Sequence, residues 1–62
     1  MENEKFNMSL RRYLKRVGVT SQQEVERVVH DRHLKGKLKL KMVLTAEGTD
    51  LKHVVEDDIE LG

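Results

Sequence analysis

A chain of 62 residues forms one domain at most, and at this size folding removes only about 60% of the unfolded surface from water. It contains no Cys, which excludes disulfide and thiolate–metal staples and leaves tight helix packing or a second subunit as routes to stability. Charged residues make up 37% of the chain but nearly cancel to a formal +1, which disfavours a dedicated nucleic-acid coat.

Residues 1–5 are expected to be mobile. Met1-Glu2-Asn3-Glu4-Lys5-Phe6 has no apolar run, so neither a signal peptide nor a membrane span is expected, and the setting expected is cytoplasmic. Pro is absent and no repeat or low-complexity segment occurs, so residues 1–62 read as a single domain.

Asn7 as N-cap and Gly18 as the residue after the C-cap frame a first helix over about 8–17. Leu10, Tyr13, Leu14 and Val17 fall at i, i+3, i+4 and i+7 on one stripe, and Phe6 is placed to pack back on Leu10 or Met8. Arg11, Arg12, Lys15 and Arg16 project from the other side. Four close cations suit a solvated face, or contact with an anion or a nucleic acid.

Thr20 with Gln23, or Ser21 with Glu24, makes a capping box that starts a second helix over about 21–35, ended by Gly36. Its stripe is Val25, Val28 and Val29. A helix, a Gly turn and a second helix give residues 14–27 a partial resemblance to the helix-turn-helix of DNA-binding proteins, with Arg27 as a further candidate contact. The spacing departs from that family, since Val25 lies seven residues after Gly18 and Leu14 stands where Ala is favoured. His30 and His33, three apart, read as surface histidines near a helix end rather than metal ligands.

Lys37 to Leu44 alternates strictly, with Leu38, Leu40, Met42 and Leu44 on one face and Lys37, Lys39, Lys41 and Val43 on the other. That predicts a strand over about 37–45. A turn around Gly48 leads to a second strand over about 51–61. Pairing Ala46 with Leu51 sets Lys41 opposite Glu56, Lys39 opposite Asp58, Lys37 opposite Glu60 and Val43 opposite Val54. Asp57 then falls on the apolar face opposite Leu40, a conflict that a bulge would relieve.

The fold class expected is α+β: a helical hairpin packed on a two-stranded antiparallel β-hairpin (ααββ), which two copies could join into a four-stranded sheet. No Gly-rich phosphate loop and no nucleophile–base spacing occurs, so an enzyme is not expected, and no cofactor or metal is implied. The function expected is a protein-interaction or self-association module, a homodimer or a partner-binding unit, with Lys37, Lys39, Lys41, Val43 and Val54 as the candidate surface. The alternative is a winged, helix-turn-helix-like nucleic-acid binder using Arg11, Arg12, Lys15, Arg16 and Arg27.

The blocks Phe6-Asn7-Met8-Ser9, Val17-Gly18-Val19-Thr20-Ser21-Gln22, His53-Val54-Val55-Glu56 and Ile59-Glu60-Leu61 resemble a family of very short bacterial proteins of unknown function. Members carry a Gly where this chain has Asp57-Asp58. The resemblance implies a bacterial, cytosolic setting and no particular activity.

Overall fold

The computed structural model describes residues 3–62. Helix α1 spans Glu4–Arg32, strand β1 Lys37–Thr45 and strand β2 Lys52–Glu60, and the strands form a two-stranded antiparallel sheet. The architecture is therefore α+β, with one long helix in place of the expected helical hairpin.

Three local observations account for the single helix. Leu14 and Val25 are eleven residues apart, three turns of helix, so the stripes of the two expected helices are in phase on one rod. Gly18 lies inside the helix rather than at its end, and a Gly there costs about 1 kcal/mol relative to Ala, too little to break a rod with no Pro. Thr20 is not a cap: its Oγ1 donates to the Arg16 carbonyl at 2.7 Å, the back-bond of a mid-helix threonine. With no turn at Gly18, residues 14–27 do not form a helix-turn-helix.

The helix ends also move outward or inward from the expected positions. Asn3, not Asn7, is the N-cap, and its side chain accepts from the Phe6 N–H at 3.1 Å. Of the stretch expected to be mobile, Met1 and Glu2 lie outside the described residues, while Asn3, Glu4 and Lys5 form the cap and first turn. At the other end His33 takes the left-handed conformation (φ 52°), and Leu34 N–H donates to Val29 O at 3.1 Å. Gly36, at φ 86°, turns the chain into β1.

The hairpin has the register that the charge pattern predicts. Lys37 pairs with Glu60, Lys39 with Asp58, Lys41 with Glu56, Val43 with Val54, and Leu40 with Asp57. Pairing runs unbroken through Asp57, so the expected bulge is not needed. Asp57 stays exposed at the open side of the sheet, where its Oδ1 accepts from Asp58 N–H at 2.8 Å. Ala46-Glu47-Gly48-Thr49 closes the loop with Thr49 N–H on Ala46 O at 3.3 Å, and Gly48 supplies the positive φ of 75°.

The helix lies along the apolar face of the hairpin without closing on it. Val17, Ser21, Val25, Val28 and Val29 are half-buried, as are Leu38, Leu40, Leu44 and Ile59, and none of the described residues is fully buried. No Cα of α1 comes within 8 Å of a strand Cα, so the two layers meet only through side-chain ends. Length adds to the mismatch. A helix of 29 residues is about 43 Å long and a strand of nine residues about 30 Å, so the first turns of α1 have no strand beside them.

Replacing Thr20 by Ala tests the continuous helix. In mid-helix the change removes a weak helix former and raises stability by about 0.3–0.5 kcal/mol in urea unfolding. A cap at this position would instead lose about 1 kcal/mol.

Candidate functional site

An open apolar groove of about 790 Å³ runs between α1 and the sheet. Val25 and Val29 from the helix, Leu40 and Met42 from β1, and Ile59 and Leu61 beyond them line its floor. Glu26 and Glu60 stand at its edge, and Gly18 closes one end. An ideal Cβ built on Gly18 meets nothing within 4 Å, so the helix surface there is open to close approach. Gln22 Nε2 donates to Glu26 Oε2 at 3.3 Å, which orients this carboxylate along the helix flank. A second cleft of about 210 Å³ lies nearer the hairpin turn, where Tyr13, Leu14 and Val17 meet Leu44 and His53.

The groove residues are not marked as a site by any local motif in the sequence. The eleven-residue step from Leu14 to Val25 is the signal that could have found it, because it sets one side of a single rod against the leucines of β1.

The candidate cations divide. Arg11, Arg12, Lys15 and Arg16 are exposed on the N-terminal half of α1, and no carboxylate of the described residues lies within 4.0 Å of any of them. Arg27 sits about 16 Å further along the helix and has partners of its own: Glu24 Oε1 at 3.0 Å and Asp31 Oδ2 at 3.8 Å. Four of the five expected anion contacts are therefore brought together, and the fifth is engaged by its neighbours.

Lys37, Lys39, Lys41, Val43 and Val54 share the outer face of the sheet, as the alternation predicts. Val43 and Val54 pair there at 48% and 41% exposure, an apolar spot beside a charged ladder. Within the ladder the close ion pair is diagonal, Lys39 Nζ to Glu56 Oε2 at 4.0 Å, rather than straight across to Asp58. Both groups are exposed, so the contact contributes about 0–1 kcal/mol.

The rings of His30 and His33 lie 6.5 Å apart, and His30 Nδ1 is 3.3 Å from Asp31 Oδ1. Among the described residues no three His, Asp or Glu side chains gather as a metal site. No helix of the described residues is long and apolar enough to cross a membrane.

The chain belongs to a family of unknown function, DUF6494, whose model matches residues 1–62. No curated protein and no solved structure matches it.

Reversing Glu56, Asp58 and Glu60 to Lys sets like charges opposite Lys41, Lys39 and Lys37. The expected loss is about 1–2 kcal/mol in urea unfolding, shrinking as salt is added. An unchanged midpoint at low salt would show that the ladder plays no part in register.

Proposed function

We propose that this protein is a small, non-enzymatic interaction module that works by self-association. The observation that carries the reading is surface. The chain exposes 6129 Å², whereas a compact monomer of its 7.2 kDa exposes about 4,100 Å². Its radius of gyration, 15.1 Å, likewise exceeds the about 10.6 Å of a compact chain of this length. The excess, about 2,000 Å² per chain, is of the size that obligate homodimers bury.

The composition of that surface supports the same reading. Phe6, Leu10, Tyr13, Leu14, Met42, Val43, Val54 and Val55 are each at least 40% exposed. Together they exceed the scattered apolar residues that a monomer tolerates. Self-association can use the helix and groove, or the sheet edges, which in two copies would join as four strands. The bacterial cytoplasm is the setting we propose, carried over from the family resemblance.

A second reading is favoured by one observation, the four cations of α1 that no carboxylate of the described residues approaches within 4.0 Å. An anionic partner such as duplex DNA or RNA would be held through its phosphates, with binding that falls steeply as salt rises. The continuous helix and the paired Arg27 weigh against it.

Sedimentation equilibrium over a wide concentration range tests the first reading. The expected mass is twice 7.2 kDa and persists on dilution to low micromolar protein. A mass of 7.2 kDa at all concentrations would overturn it. Fluorescence anisotropy with labelled duplexes at low salt tests the second: a flat titration removes it, and binding abolished by Gln at Arg11, Arg12, Lys15 and Arg16 supports it.

A further inference from the structure

We propose that the groove of each chain is filled by the N-terminal half of α1 from a second copy, the two helices running antiparallel with their two-fold axis between Gly18 and Gln22. This rests on the self-association proposed above and names its geometry.

Three observations carry it. First, the ends fit. The first turns of α1 outrun the strands and leave Leu10 exposed, while the C-terminal half borders an unfilled apolar groove of about 790 Å³. A two-fold axis near the middle of the rod brings each overhang onto the other chain's groove, and both copies are satisfied by one operation.

Second, the approach is open where the helices must cross. Arg11, Gly18, Gln22 and Val29 fall within about 40° of one another around the helix. The crossing therefore lies on Gly18, whose missing side chain lets two rods come close, and no atom of the described residues lies within 4 Å of a Cβ built there.

Third, the charges are complementary. The groove edge is acidic at Glu26, and the segment that would enter it carries Lys15 on the flank that faces this carboxylate. An antiparallel axis at this point sets Arg11 beside Val29 of the second copy and Lys15 beside its Glu26. A parallel pair would set the cations against each other.

The absence of Cys makes the placement directly readable. Arg11→Cys and Val29→Cys chains are prepared separately, mixed, and treated with a short bis-maleimide. The mixture is expected to give a covalent dimer, and neither variant alone is expected to do so. Within one chain the two positions are about 27 Å apart along the helix, so a bridge between them must join two copies. Charge exchange gives a second measure: Lys15→Glu or Glu26→Lys alone weakens the dimer about tenfold at low salt, and the double exchange restores it.

A dimer by sedimentation that neither cross-links in the mixture nor responds to the exchange would overturn this placement and leave self-association standing, with the sheet edges as its site. Cross-linking of the Arg11→Cys variant with itself would show parallel helices and overturn it too. A monomer at all concentrations would overturn both.

Discussion

The constraint on which this structure depends is that nearly half of a short chain is committed to one continuous helix. A rod of 29 residues has more length than a nine-residue hairpin can cover, and it meets that hairpin along one flank only. The consequences follow in order. The first turns have no strand beside them, the groove along the C-terminal half stays open, and none of the described residues reaches full burial. Leu38, Leu40, Ile59 and the helix valines are thus only half removed from water, and the apolar contribution per residue is correspondingly reduced. A two-stranded hairpin is marginal by itself and an isolated helix is too. Each needs the other, and neither satisfies the other fully.

The hairpin shows how weak interactions fix a geometry that they barely stabilise. Lysines and carboxylates face each other on the outer side, yet the close pair is a diagonal contact at 4.0 Å between exposed groups. Such contacts are worth a few tenths of a kcal/mol each. The stronger force on register is the inner face, since a slip of one residue would turn Leu38, Leu40, Met42 and Leu44 to water. The ladder and the leucines select the same pairing, and agreement between levels is what specifies it. Asp57 is accommodated on the apolar face because that side of the sheet is open, not because the strand bends around it.

The hairpin was legible in the sequence because its signals are of period two and do not compete with one another. The continuous helix is hidden in the sequence because its short-range signals point to a break while its long-range phase does not. Gly18, Thr20 and Ser21 look like an end and a beginning, and a capping-box composition describes both a true cap and a mid-helix threonine bonded back to Arg16. Leu14 and Val25 in phase across eleven residues argued the other way. The start differs for a related reason: Asn3 and Asn7 are equivalent as caps by residue type, and nothing local separates them. Of the candidate surfaces, the cations and the outer valines could be placed from spacing alone. The groove could not, because it exists only once the two helical segments are one.

The distribution of charge along α1 runs against what an isolated helix prefers. Beyond the first turn, cations gather in the N-terminal half at Arg11, Arg12, Lys15 and Arg16, and carboxylates in the C-terminal half at Glu24, Glu26 and Asp31. A helix dipole favours the reverse arrangement, although its influence is confined to the end turns, where Glu4 and Arg32 do conform. The middle of the rod is therefore free to be patterned for another purpose. Between parallel copies the four cations would face one another, whereas between antiparallel copies they would face a half that holds Glu24, Glu26 and Asp31 beside Arg27 and Arg32, and antiparallel neighbours also oppose their dipoles. The pattern adds nothing to the stability of a single helix, but it discriminates between the two ways of pairing two of them. Together with an apolar groove along one half and an exposed Leu10 beyond the strands at the other, it is the ground on which a second copy of this chain is proposed as the partner.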